Sequence, residues 1–338
     1  MKRIAVFLLA AVLCFGGCRT APAKGQKQYT ATFLNLFDTV TTVVGTAESE
    51  EAFQEKAQTV HDALLVYHRL FDIYHTYDGI ANLKTVNDQA GKAPVTVDGT
   101  IMEFLTDCKA YYTQTGGKTN VMMGRVLRLW HEARTAGADD PQNARLPAAD
   151  ALKAAADHIA IDALEIDPAA STVYIRDPSA SLDVGAVAKG WATERVAREA
   201  PDGMLISVGG NVCATGPKAV GTPWVIGISD PADSNRNCHT LYVNDGAVVT
   251  SGDYQRTYTV NGVPYHHIID PKTQYPATLW HSVTVVAADS ALADALSTAL
   301  FLLPLEEGKA LADACDVDVL WIGDEEHMTA GFRAKLRT

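Results

Sequence analysis

Between residues 224 and 260 the chain carries four runs of strand character, at 224–229, 241–243, 248–250 and 254–260, with no helical pattern between them. Strands that follow one another so closely pair as hairpins, because a parallel crossover needs a dozen or more residues and usually a helix. A purely parallel sheet is therefore disfavoured. Strand patterns also occur at 29–44, where Asn35 to Asp38 lie near a hairpin turn, at 164–175, 203–212 and 282–287, and at 317–322 as a last strand. Apolar residues at helical spacing predict helices over 49–70, 100–115, 149–156, 188–199 and 290–303. The pattern is α+β, with mixed sheets and packed helices. No repeat, Ser/Gly linker or long charge block divides it, so residues 29–338 read as a single domain.

The first residues belong to a different kind of segment. Lys2 and Arg3 precede an apolar run from Ile4 to Phe15, which ends in Gly16-Gly17-Cys18. Twelve apolar residues are too few to span a bilayer, and the arrangement reads as an export leader. The small-small-Cys ending resembles the lipobox of bacterial lipoproteins. That resemblance makes residues 1–17 a signal peptide, Cys18 the lipidated N-terminus and residues 18–28 a polar tether; the alternative is an ordinary secretory leader with an incidental cysteine. Localisation then follows: exported and held by a lipid anchor on the outer, periplasm-facing side of the cytoplasmic membrane. Of the six cysteines, Cys108, Cys213, Cys238 and Cys315 are scattered through the body without a CxxC, so a structural zinc site is not indicated. With a net charge of −12 over 338 residues and no Lys/Arg-rich run, nucleic acid is a poor partner.

Chemistry concentrates in four stretches. In Ser181-Leu-Asp-Val-Gly-Ala-Val-Ala-Lys-Gly, a strand bearing Asp183 runs into a small-residue turn and then a helix. Such a turn admits a ligand close to the backbone, and the helix N-terminus with Lys189 favours a phosphate; tight packing explains the same residues equally well. Ser207-Val-Gly-Gly-Asn ends a strand in two glycines, suited to a ligand or to a plain turn. Thr250-Ser-Gly-Asp-Tyr-Gln-Arg, followed by Tyr265-His-His-Ile-Ile-Asp-Pro-Lys-Thr-Gln, compresses hydroxyls, an arginine, two histidines and acids into about 25 residues. Finally, the helix around Ala293-Asp-Ala-Leu-Ser-Thr-Ala is apolar almost all round and hence buried, and Asp294 and Thr298 share one face. A buried carboxylate beside a hydroxyl and a backbone carbonyl suits a hard cation such as Mg²⁺, whereas the alternative is a dipole partner near a helix start.

Taken in this order, D-x-G-x-x-A-K-G, G-G-N, S-G-D-Y-x-R with H-I-I-D-P-x-T, and A-D-A-x-x-T-A resemble the ApbE family of FAD:protein FMN transferases, and residues 66–87 resemble its early flavin-site segment. The resemblance spans residues 30–325. It implies an ApbE-like fold related to the T-fold, FAD as substrate, and Mg²⁺ as cofactor. It places the metal ligands on Asp294, Thr298 and the carbonyl of Ala186, and the flavin and adenine contacts on Phe37, Tyr74, Lys118, Thr119, Asn120, Asp183, Lys189 and Ile269. Two positions depart from the family pattern: Asn120 stands where an aspartate is common, and Gln274 where a glycine is.

The activity so implied is transfer of FMN from FAD to a Thr or Ser hydroxyl of an exported acceptor flavoprotein, with release of AMP. Asp294 would act with the metal, and His267 would assist deprotonation of the hydroxyl, because imidazole titrates near working pH. Two other readings stay open at this point. One is an FAD pyrophosphatase or FAD-binding lipoprotein for flavin supply, and the other is a non-catalytic solute-binding lipoprotein.

Overall fold

The computed structural model describes residues 26–218 and 221–337; the leader, Cys18 and most of the tether lie outside the described residues. In chain order the first strands are β1 (Lys27–Leu36), β2 (Thr39–Ala47), β3 (Val95–Thr96), β4 (Leu164–Asp167) and β5 (Thr172–Ile175). They are followed by β6 (Leu205–Val208), β7 (Asn211–Ala214), β8 (Trp224–Asp230), β9 (Asp233–Val243) and β10 (Gly246–Gly252). The last are β11 (Tyr258–Val260), β12 (Val263–Tyr265), β13 (Ser282–Ala287), β14 (Asp318–Ile322) and β15 (Glu326–Met328). The helices are α1 (Glu50–Phe71), α2 (Leu83–Asp88), α3 (Gly99–Gln114), α4 (Gly124–Asp139) and α5 (Ala149–Ala156). Beyond them come α6 (Ala188–Glu199), α7 (Ser290–Phe301), α8 (Leu305–Ala314) and α9 (Ala330–Ala334).

An eight-stranded sheet runs in the order β1-β2-β6-β7-β10-β13-β14-β15, every neighbouring pair antiparallel. Period-two alternation sorts its side chains into two cores. Val43, Ile206 and Val208 face α1, α3 and α6, and Val249, Val283 and Val285 face α7. Their neighbours Val44, Leu205, Val248 and Val286 point the other way, against Trp224, Ile226 and Leu241 of the β8–β9 hairpin and Phe332 of α9. Helices therefore cover one face, and a two-stranded ribbon together with α9 the other. A further small core joins Val126 and Trp130 of α4, Leu152 of α5, Tyr258 and Val260 of β11, and Ile269.

Two helices are placed with particular firmness. In α1, Ser49 Oγ caps the Ala52 N–H and Glu50 and Glu51 occupy the first turn, both favourable at a helix N-terminus, while Phe53, Ala57, Val60 and Leu64 form its buried stripe. Trp191 of α6 is 2% exposed and meets Tyr67, Phe71 and Phe104 edge-on at ring distances of 5.5–5.7 Å. Its indole N–H donates to Asp107 Oδ2 at 2.8 Å, so a large apolar ring is buried with its one polar atom satisfied.

Several local expectations are corrected. The strand expected over 254–260 begins only at Tyr258, because Arg256 adopts φ 47°, a left-handed conformation that interrupts the ladder. The strand expected at 241–243 starts at Asp233: its polar, largely exposed arm is held by main-chain pairing with β8 rather than by burial. The strand at 318–322 is followed by β15. The α4 helix was not expected, although Val126, Trp130 and Gly137 lie on its buried side.

Candidate active site

The centre of the site is a stitch between α6 and α7. Asp294 is 4% exposed, and its Oδ2 accepts hydrogen bonds from the Gly190 N–H at 2.8 Å and from Asn211 Nδ2 at 3.0 Å. One turn away on both helices, Glu194 Oε2 accepts the Ser290 N–H at 2.7 Å. The helices approach so closely at this point that a Cβ on Gly190 would lie 2.3 Å from Asp294 Cβ and 2.4 Å from the Ser290 carbonyl, so only glycine fits. The β6–β7 turn explains how Asn211 arrives: Gly209 and Gly210 take φ of 56° and 94°, the two-residue turn that such a hairpin needs, and Asn211 follows it.

Burial raises the Asp294 carboxyl above the usual carboxylate range, opposed by Lys189, whose Nζ stands 3.8 Å from Oδ2, and by the two hydrogen bonds. Oδ1 accepts no hydrogen bond among the described residues. Thr298, one turn along and half-buried, also makes none. Ser297 takes the inward role, donating to the Asp294 carbonyl at 2.9 Å and sharing a 2.8 Å contact with Ser251. A free carboxylate oxygen, a free hydroxyl and the backbone of the turn at Ala186 make an all-oxygen donor set, which fits a hard ion such as Mg²⁺. Among the described residues no group of three His, Cys, Asp or Glu side chains converges, so the donor set rests on one carboxylate, a hydroxyl and backbone.

The segment leading to Asp183 is not the strand expected: beyond a single bridge from Ser181 to Met123 it pairs with no strand among the described residues, and it is held instead from two sides. Asn87 donates to the Leu182 carbonyl and accepts its N–H, and the Asp183 N–H donates to the Val121 carbonyl at 2.8 Å. Asp183 Oδ1 accepts the Gly185 N–H at 2.9 Å, closing the turn that starts α6. Burial pushes its carboxyl up, and the Gly185 bond and the positive charges of Arg256 and Lys189 pull it down.

The other expected contacts differ in how far they are already engaged. Tyr74 is 52% exposed and stacks near His131 at 5.8 Å, on a loop tied to Asp72 by the N–H groups of Tyr74 and His75 and the Tyr77 hydroxyl. Phe37 sits at φ 52° in the β1–β2 turn, donates its N–H to His68 Nδ1 and meets that ring edge-on. Lys189 Nζ donates to the Gly185 carbonyl at 3.0 Å. By contrast, Lys118 is paired with Asp270 at 3.3 Å, and Thr119 is buried with its hydroxyl on the Ala295 carbonyl. Asn120 uses both ends of its amide, donating to the Ile159 carbonyl and accepting the Met122 N–H. The Ile269 side chain belongs to the α4–β11 core, which leaves its backbone as the group for a ligand.

His267 corrects an expectation: it does not titrate near neutrality. Burial, reinforced by the nearby charges of Arg256, His266, Arg134 and Lys189, lowers it to about 3. Its Nδ1 lies 3.2 Å from the Gln255 carbonyl, which can only accept, so Nδ1 carries the proton and Nε2 keeps the lone pair. Sequence reasoning missed His131 and Arg134, which lie on the unexpected α4, and gave Asn211 only as the end of a glycine turn. Their helical i, i+3 spacing was the available signal for the first two.

The ApbE family profile matches residues 37–321. The FAD:protein FMN transferase of Treponema pallidum (strain Nichols) is 35% identical over 268 residues, covering 73% of this chain and 72% of its own length. That of Klebsiella pneumoniae (strain 342) is 30% identical over 291 residues, covering 82% and 88%. Among solved structures, the ApbE protein of Thermotoga maritima matches with a TM-score of 0.81 at 27% identity over 92% of this chain and 100% of that one. The flavin transferase ApbE from Vibrio cholerae, at 24% identity and TM-score 0.76 over 92% and 100%, shares the fold. A profile spanning most of the folded chain, joined to relatives that match along most of their own length, establishes that this chain belongs to the ApbE family.

Proposed function

We propose that the chain transfers FMN from FAD to a Thr or Ser hydroxyl of an acceptor protein, with Mg²⁺, and releases AMP. Its similarity to FAD:protein FMN transferases supports the flavin transfer. The observation that carries the rest is Asp294: a buried carboxylate with one oxygen held by Gly190 and Asn211 and the other left open beside Thr298 at the start of α6. Bound by Asp294, Thr298 and the Ala186 carbonyl, the ion would offset charge on the FAD phosphates and on the departing AMP phosphate. The chain's own groups do the remainder. Lys189 and the N-terminus of α6 bind phosphate oxygens, and Tyr74 and Phe37 hold the flavin ring.

In the transfer the acceptor oxygen attacks the phosphorus on the FMN side. The bond from that phosphorus to the bridging oxygen breaks, AMP leaves with that oxygen, and the hydroxyl proton passes to His267 Nε2. Burial lowers His267 most and the nearby cations add to it; an anionic substrate would offset the part that the cations contribute and raise the basicity of the imidazole. Export and lipid attachment through Cys18 belong to the same proposal, with exported redox proteins as acceptors; their support is the leader and the Gly-Gly-Cys ending.

Incubation with FAD, with and without Mg²⁺, and with an exported flavoprotein domain bearing a candidate threonine tests the reading by intact mass. An acceptor gain equal to FMN, seen only with Mg²⁺, is the expected result. FMN and AMP without an adduct would replace it with the hydrolase, and unchanged FAD with a binding protein.

A further inference from the structure

β11 and β12 form a two-stranded sheet of their own, so β11 has one edge on β12 and the other free. Which groups face the free edge follows from the turn. Asn261 and Gly262 join the strands with φ of 51° and 81°, the left-handed pair of a two-residue type I′ hairpin. The flanking Val260 and Val263 therefore exchange main-chain bonds, and so do Tyr258 and Tyr265, because bonded and non-bonded pairs alternate along an antiparallel ladder. Thr259 falls between them, opposite Pro264, which has no N–H to give. Its N–H and C=O are turned away from β12, and no other group bonds to them among the described residues.

Thr257, Tyr258 and Thr259 line an open groove of about 520 Å³, together with Gly137 and Ala138 at the end of α4 and Pro141 and Gln142 beyond it. No residue of β12 lines it, so the groove lies on the free side of β11. Its walls are fixed by packing: a Cβ on Gly137 would stand 2.7 Å from the Tyr258 ring, and the Tyr258 hydroxyl donates to the Arg145 carbonyl at 3.3 Å. The groove also leads to the site. Gln255, whose carbonyl lies 3.2 Å from His267 Nδ1, precedes Thr257 by two residues, at most about 7 Å of chain.

We infer that the free edge of β11 is the docking site of the acceptor polypeptide, which adds to it as an extended strand and so leads its Thr or Ser hydroxyl toward His267. This rests on the transferase reading above, in which the second substrate is itself a polypeptide. Unpaired strand groups recognise another main chain whatever its side chains, and an open groove beside them leaves that chain room.

The test measures transfer to an exported flavoprotein domain bearing a candidate threonine, and binding of a fluorescent peptide containing that threonine, for the wild type, Thr259→Pro and Ala138→Trp. The first variant removes the outward N–H while sparing the β11–β12 bonds, and the second fills the groove from an exposed helical position. Both are expected to raise the KM for the acceptor and weaken the peptide by about ten-fold or more, with FAD affinity and melting temperature as in the wild type. Methylating the peptide's backbone amides beside the threonine should weaken it likewise, with every side chain unchanged. Should Thr259→Pro lower the melting temperature, Ala138→Trp decides. An unchanged acceptor KM, a peptide indifferent to amide methylation, or an equal loss of FAD affinity would overturn the inference. If the wild type transfers no FMN, the proposed function fails by itself. Peptide binding that depends on Thr259 and Ala138 would then still support the groove, and binding that is absent or indifferent to both would refute it.

Discussion

The α6–α7 stitch and the α4–β11 rim both bring charge to the cleft, by opposite means. At the stitch two carboxylates are buried, Asp294 gripped by a backbone N–H and an amide and Glu194 by the Ser290 N–H, and the helices meet where a glycine leaves no spare volume. At the rim, neither Arg134 nor Arg256 has a carboxylate partner among the described residues, and His131 and Tyr74 are exposed. At the stitch Asp294 Oδ2 is held before any ligand arrives while Oδ1 is left open, whereas at the rim the arginines have no carboxylate partner among the described residues. Pre-organised groups suit stabilising charge as it develops, and unpaired cations suit drawing an anion in.

Mutations separate the two. The largest effect is expected for Asp294→Asn, which keeps an oxygen for Gly190 and Asn211 yet removes the charge. FMN transfer should fall on the order of 10³-fold, about 4 kcal/mol of transition-state stabilisation, with no loss of thermal stability. A variant that unfolds instead would show that the carboxylate is structural. Gly190→Ala drives a methyl into Asp294 and should destabilise the fold by about 1–3 kcal/mol in urea titrations while also abolishing transfer. If it folds and works normally, the stitch is looser than described. At the rim, Arg256→Met should raise the KM for FAD about ten-fold with an unchanged or higher melting temperature; a fall in melting temperature would erase the contrast.

The pH dependence sharpens the picture further. The His267 pKa is lowered from 6.5 unfolded to about 3 folded, so between those values the unfolded chain holds more protons. Its stabilising contribution is present above about 6.5 and lost as pH falls toward 3. Thermal scans from pH 7 to 4 should therefore show a steeper loss of stability in the wild type than in His267→Gln. The smallest effect is expected for Asn120→Asp, which restores the residue common in the family but turns a carboxylate onto the Ile159 carbonyl, at a cost of about 1–3 kcal/mol.

Much of the scaffold could be read in advance because its physics is local. Ala149–Ala156 and Ala188–Glu199 have the expected bounds, since helical apolar spacing and a small-residue start mark them. The strand patterns at 203–212 and 164–175 each resolve into a hairpin. The α4 helix escaped because Gly124 and Gly137 dilute its pattern, and both glycines answer to distant partners: a Cβ on the first would strike Ser181, and one on the second Tyr258. The β9 arm escaped because Asp233 to Thr240 has no apolar alternation and exists by pairing with β8.

The same division runs through the site. Asp294 and Thr298 share a face by helical spacing alone, and the sequence by itself determined the α+β class, the buried α7 and the motifs that mark the family. Only the tertiary structure decided that Gly190 and Asn211 hold Asp294, that Lys118 is already paired, and that His267 is held far below neutrality. Each of those depends on desolvation or on charges brought together from elements far apart in the chain, and neither quantity exists until the chain has folded.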